Sequence, residues 1–137
     1  MIAKTSIAAL CLFILSSLTS VAAAAGASKV VLQVSDDNPQ KWNLAINNAN
    51  NVLKAAPGSE IEIVVYGPGI GMLTKDSKVS ARVTKAVNDG VKVVACQNTM
   101  KAKKLSQDQM NMSIGYVPAG VIQIMNRQGQ GWAYVRP

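Results

Sequence analysis

Ile61-Glu62-Ile63-Val64-Val65-Tyr66, followed directly by Gly67-Pro68-Gly69-Ile70-Gly71, is the stretch that decides the fold. The first run is rich in β-branched apolar residues and shows almost no polar alternation. Such runs are strands buried on both faces, the habit of parallel sheets. The glycine-rich turn leads into a helical pattern. Thr74, Asp76 or Ser77 suits its cap, Val79, Val83, Ala86 and Val87 form its buried stripe, and Gly90 suits its stop. Val91 to Cys96 (VKVVAC) then repeats the opening pattern. Strand, helix and second strand of this kind make one right-handed unit of a parallel sheet.

The same alternation extends both ways. Upstream, Val30 to Val34 (VVLQV) is a further buried strand, ending in Ser35-Asp36-Asp37-Asn38-Pro39. Trp42, Ala45, Ile46, Ala49, Leu53 and Ala56 recur at helical spacing behind it, with asparagines and Lys54 on the opposite face and Pro57-Gly58 as the stop. Downstream, Asn98 or Thr99 suits the cap of a short helix through Lys104, and Ser106 with Gln109 has the spacing of a capping box. Ser113 to Val117 reads as a fourth strand. Pro118 suits the first turn of a helix carrying Val121, Ile122, Ile124 and Met125, which ends at Gly129 and Gly131. Trp132 to Val135 closes the series. The expectation is one α/β domain, its sheet mostly parallel with about five strands and helices on both faces. Sites in such sheets form at the carboxyl ends of the strands, where Cys96, the Gly67–Gly71 loop and Ser35–Asn38 all fall.

The N-terminus reads as a secretory signal. Lys4 is the sole charged residue before Lys29. An apolar run from Ile7 to Leu18 follows, too short for a spanning helix of roughly twenty residues. The alanine-rich exit, Ala22 to Ala27, offers cleavage after Ala25 or, as second choice, after Ala27. The expectation is a signal peptide over residues 1–25 and a mature domain over 26–137, without a membrane anchor after cleavage, periplasmic or secreted. Cys11 lies inside the apolar run behind the bulky Leu10, which rules out lipoprotein processing at that cysteine.

Composition narrows the chemistry. The chain has 137 residues, a formal net charge of +7, two cysteines and no histidine. Without histidine there is no Ser-His-Asp or Cys-His dyad and no common zinc set, and no metal or other cofactor is expected. The carboxylates are sparse, and nothing in their placement points to paired-acid hydrolysis. The modest positive charge suits small anions or simple solubility. Basic residues are not interleaved with aromatics, so nucleic acid is not an expected partner. Loss of Cys11 with the signal peptide leaves Cys96 without an intramolecular partner, which is unusual for an exported chain. Such a thiol is buried, paired between chains, or reactive.

Four segments occur in order: Tyr66-Gly67-Pro68-Gly69-Ile70, Val94-Ala95-Cys96-Gln97-Asn98-Thr99-Met100, Val117-Pro118-Ala119-Gly120-Val121 and Gly131-Trp132-Ala133-Tyr134-Val135-Arg136-Pro137. Together they resemble the DsrE/DsrF-like family, in particular its exported single-domain members, from about Lys29 to Pro137. The resemblance implies a flavodoxin-like three-layer sandwich that assembles as a homo- or hetero-oligomer, commonly a trimer or hexamer. It also implies sulfur carried as a cysteine persulfide, placed after the third strand at the start of a helix. Cys96 occupies that kind of position, and it alone is carried over. The family's carriers act in the cytoplasm, whereas this chain reads as exported; its sulfur donor or acceptor is left unidentified.

Cys96 is accordingly the candidate reactive residue, a thiolate favoured by a helix N-terminus, set against the plain reading of a small buried residue at a strand end. Gly67 and Gly69, with Asn98 and Thr99, are the candidate substrate-binding residues, although a glycine loop also serves a tight turn. Trp42, Met110, Met112, Trp132 and Tyr134 read as core or subunit contacts, and Lys101, Lys103 and Lys104 as a solvated helix end. Two functions follow. One is sulfane-sulfur or thiol-redox handling through Cys96, more carrier than turnover enzyme. The other is a non-catalytic oligomeric module that binds a small anion or a protein partner.

Overall fold

A computed structural model of the chain describes residues 26–137. The expected signal segment, residues 1–25, lies outside the described residues. Five strands form one sheet: β1 (Lys29–Val34), β2 (Glu60–Val65), β3 (Lys92–Cys96), β4 (Gly115–Val117) and β5 (Ala133–Val135). Their order is β4-β3-β2-β1-β5 and every pairing is parallel. The helices are α1 (Pro39–Ala55), α2 (Ser80–Asn88), α3 (Gln97–Ala102) and α4 (Gly120–Gly129), with 3-10 turns at Gly67–Leu73 and Gln107–Gln109. No helix among the described residues is long and apolar enough to cross a membrane.

Strand order explains the layering. From β1 to β4 the chain steps across the sheet in one direction, so right-handed crossovers lay α1 and α2 on one face. The last connection reverses and brings β5 back beside β1, which sends α4 to the other face. The side-chain period of two sorts the strand residues accordingly. Leu32, Val34, Ile63, Val65, Val93 and Ala95 pack with α1 and α2 in the larger core. Val31, Val64 and Val94 face the other way, packed with Ile124 of α4 and with Trp132. The expected three-layer sandwich is thus formed, its sheet wholly parallel.

Several local expectations shift. The fourth strand begins at Gly115, because Ser113 turns back to donate its N–H to Asn111 Oδ1 at 2.9 Å. The Gly67–Gly71 loop winds into a 3-10 helix. Helix α2 starts at Ser80 behind Val79 without a side-chain cap. Thr74 is committed elsewhere, bridging to Met110. Pro118 stands before the first turn of α4, whose N-cap is Ala119. The cap of α3 is Cys96 itself, so neither Asn98 nor Thr99 has that role. The Ser106–Gln109 capping box forms as expected. Helix α3 stops at Ala102, and Lys104 takes the left-handed conformation, φ +55°. Leu105 N–H and Lys104 N–H close back on the carbonyls of Met100 and Lys101, the pattern of a Schellman stop.

The face under α4 contains a buried charge. Glu62, on β2, is fully buried. It accepts a hydrogen bond from Gln123 Nε2 at 2.9 Å and pairs with the Arg127 guanidinium, both groups coming from α4. The guanidinium in turn lies 4.4 Å from the Trp132 ring centroid. The pair pins the one helix of this face to the sheet, since removing either partner strands a buried charge. Arg127→Met is therefore expected to lower unfolding free energy by about 3–5 kcal/mol in chemical denaturation. The double variant Glu62→Gln/Arg127→Met should recover much of that loss, and equal losses in the two variants would contradict this role for the pair.

Candidate functional site

The carboxyl edge of the sheet meets the first turn of α4 at Cys96. The residue ends β3 on the α4 face and caps α3 without any break between strand and helix. The first turn of a helix has N–H groups with no intrahelical acceptor, and a cap atom that accepts from them is favoured. Here that atom is sulfur: Thr99 N–H donates to Cys96 Sγ at 3.5 Å. Gly120, the first residue of α4, stands close by, and the Asn98 N–H meets Pro118 O at 3.2 Å just before that helix.

Thr99 ties the sulfur to the glycine loop. Its N–H meets Sγ while its Oγ1 accepts the Gly67 N–H at 2.9 Å. Gly67 needs its left-handed backbone, φ +56°, to present that N–H. Burial pushes the Cys96 thiol up. Hydrogen bonds from the Thr99 side chain and from the backbone of Thr99, Gly120 and Asn98 outweigh it and hold the group below the ordinary thiol value. Because the folded thiol is the stronger acid, stability gained from its ionisation appears as pH rises through the folded pKa. It is lost as pH falls below that value. No basic side chain takes part, and Cys96 is 5% exposed.

The candidate residues therefore separate. Cys96, Thr99 and Gly67 form one hydrogen-bonded series. The Asn98 N–H donates to Pro118 O at 3.2 Å, while its side chain is exposed. Gly69 has a packing role: a Cβ there would stand 2.8 Å from Val34 O, so the loop passes over the end of β1 only with glycine. Its N–H is spent on Tyr66 O. Trp42, Met110 and Trp132 are buried, whereas Tyr134 is exposed and Met112 is almost wholly so. A separate cavity of about 460 Å³, lined by Lys75, Ser80, Thr84 and Asn111 among others, shares no residue with the cysteine site. Among the described residues no group of three or more acidic or cysteine side chains gathers to hold a metal ion.

Two site residues carry no role in the sequence reading, Gly120 and Tyr66. A Cβ on Gly120 would lie 2.9 Å from Tyr66 Cβ and Cδ1, so the tyrosine ring rests directly on the start of α4. Both residues stand inside the quoted segments, and Tyr66 follows directly on β2 and caps the next turn as Cys96 closes β3 and caps α3. That parallel is the signal that was available.

The fold and site define a small α/β domain with a buried cysteine at the carboxyl edge of its sheet, capping the helix that follows. The DsrE/DsrF-like family model matches residues 28–137, and the chain belongs to that family, whose fold is of the sulfur-relay type. A protein of unknown function from Methanobacterium thermoautotrophicum is similar in structure, with a TM-score of 0.78 and 34% identity over 80% of this chain and 99% of that one. Another, from Bacteroides thetaiotaomicron, shares the fold at a TM-score of 0.62 and 17% identity, over 80% of this chain and 95% of its own. The comparison with curated proteins finds no match.

Gly120→Ala tests the geometry. The added methyl has no room against a rigid ring, so the variant is expected to lose about 1–3 kcal/mol in thermal or chemical unfolding. It should also raise the thiol pKa by displacing the Gly120 N–H. An unchanged pKa in a destabilised variant would remove Gly120 from the set of donors.

Proposed function

We propose that the mature chain, residues 26–137, is an exported sulfur carrier that holds sulfane sulfur as a persulfide on Cys96. The observation that carries this reading is a buried thiol that caps α3, accepts the Thr99 N–H at 3.5 Å and is held below the ordinary thiol value by the donors around it. Such an arrangement favours a thiolate where no histidine exists to accept its proton. In loading, the Cys96 thiolate attacks the terminal sulfur of a persulfide or polysulfide. One S–S bond forms at Sγ and one breaks in the donor, whose departing thiolate keeps the electron pair. The exchange is neutral in redox terms and needs no cofactor. Near-complete burial of Sγ suits a small inorganic polysulfide better than a bulky thiol. We assign the chain to the periplasm or the extracellular space on its signal-like N-terminus.

Assembly belongs to the same proposal. Val121, Ile122 and Met125 leave α4 exposed and apolar, and Tyr134 and Val135 continue an exposed surface on the edge strand. Apolar surface of this kind suits subunit contact, and a homotrimer or homohexamer would cover it. It also favours the second reading, an oligomeric module that binds a small anion or a protein partner without chemistry at the thiol.

Intact-mass analysis of the mature chain after exposure to inorganic polysulfide separates the two. The carrier reading expects added sulfur that a reductant removes, and none on Cys96→Ser. A wild-type thiol that stays bare would leave the binding module as the better account.

A further inference from the structure

The cavity at the start of α2 gathers hydrogen-bond donors that the fold does not use. Its volume, about 460 Å³, lies in the range of small-molecule sites, roughly 300–1,000 Å³. Asn111 lines it, is 5% exposed, and is held in place by its N–H on Leu73 O at 2.8 Å. The side-chain amide of Asn111 is fully committed. Its Nδ2 lies 3.0 Å from Ser80 O, Ser80 Oγ and Thr84 Oγ1, and its Oδ1 accepts the Ser113 N–H at 2.9 Å.

That arrangement leaves three hydroxyl protons poorly used. The Ser80 hydroxyl accepts from Asn111 but has no acceptor for its own proton among the described residues. The Thr84 hydroxyl reaches only Asn111 Oδ1, at 3.4 Å, and the Ser113 hydroxyl only Thr84 Oγ1, at 3.5 Å, both at the outer limit of hydrogen-bond geometry. Ser80 is also the first residue of α2, whose N-terminus has no side-chain cap, so its opening N–H groups add partial positive charge on the same wall. Lys75 and Asp108, both exposed, belong to the lining, and neither joins an ion pair among the described residues. Three hydroxyl donors, a helix N-terminus and an ammonium group thus meet in one cavity against a single carboxylate.

We propose that this cavity binds a small oxyanion, whose oxygens accept from the hydroxyls of Ser80, Thr84 and Ser113 and whose charge is met by Lys75. An oxyanion uses these donors together, because each of its oxygens accepts hydrogen bonds and the charge strengthens them. A cation would meet Lys75 and the N-terminus of α2 as like charges, and an apolar molecule would cover the hydroxyls without serving them. Asp108 works against the anion. The site shares no residue with Cys96 and stands whether or not that thiol carries sulfur. It also gives the small anion of the second reading a definite place on the fold.

The test titrates the isotope-labelled mature protein with inorganic sulfate, at constant ionic strength set with chloride. Nuclear magnetic resonance follows the Asn111 side-chain amide and the backbone N–H groups of Ser80 and Ala81. Saturable shifts of these signals are expected. Ser113→Ala should weaken binding about tenfold, the loss of one charge-assisted hydrogen bond. It keeps the Asn111 contacts, because Ser113 serves that amide through its backbone N–H. Ser80→Ala is the second hydroxyl variant, since Ser80 O still accepts from Nδ2. Lys75→Gln should weaken binding about two- to fivefold, and Asp108→Asn should strengthen it by a similar factor, a change of sign that loss of structure would not produce. Cys96→Ser should bind sulfate as the wild type does. A wild-type titration without saturable shifts overturns the site, and so does unchanged affinity in both Ser113→Ala and Ser80→Ala. Sulfur loading of Cys96 is read separately by mass, so failure of the anion site leaves the carrier reading intact, and failure of loading leaves the anion site intact.

Discussion

Cys96 Sγ accepts a hydrogen bond from the first turn of α3 and lies beside the first turn of α4, a helix distant in sequence, and the rest of the site depends on that meeting. Helix α3 supplies its donors locally, because it starts directly behind Cys96. Helix α4 brings Gly120 beside the sulfur only because the chain reverses direction after β4 and returns to pair β5 with β1. A sheet continued in one direction would have left the cysteine face without α4. The donors are main-chain groups held by helix geometry. They cost little reorganisation when the sulfur becomes charged, which is the physical basis of preorganised anion stabilisation.

The two faces of the sheet are built differently, and the difference bears on function. The α1/α2 face is an ordinary apolar core of valine, isoleucine and leucine with Trp42 and the methionines. The α4 face has a small apolar cluster, a buried ion pair and a site at one end. Glu62 and Arg127 lie away from the carboxyl edge and act on Cys96 only by holding α4 in place. A buried ion pair is weak support for stability compared with apolar packing, but it fixes one registry of helix on sheet. Here that registry sets where Gly120 stands relative to the sulfur.

Much of the fold was legible because parallel strands buried on both faces announce themselves as continuous apolar runs. Val30–Val34, Ile61–Val65 and Val91–Cys96 each read that way. Helix stripes such as Trp42, Ala45, Ile46 and Ala49 were equally plain. Boundaries were harder where a residue had two uses. Thr74, Asp76 and Ser77 are all plausible caps in sequence, yet tertiary pairing of Thr74 with Met110 moves the start of α2 to Ser80. Cys96 was legible as the reactive candidate. Its role as a helix cap was not, because cysteine is rarely counted among capping residues. Gly67 and Gly69 look alike in sequence, but one presents an N–H to Thr99 and the other only makes room beside Val34. Tyr66 and Gly120 escaped because their contact spans two connections of the chain and no local pattern reports it.

The central claim is that backbone and hydroxyl donors lower the pKa of a shielded thiol without help from a base. The most direct measurement is the rate of alkylation of the folded mature chain by a small reagent as a function of pH, with Cys96→Ser as the blank. The account expects a rate that rises to a plateau with its midpoint below that of an ordinary cysteine, about 8.5. A midpoint at or above that value, or a thiol that reacts only once the chain is unfolded, would contradict it.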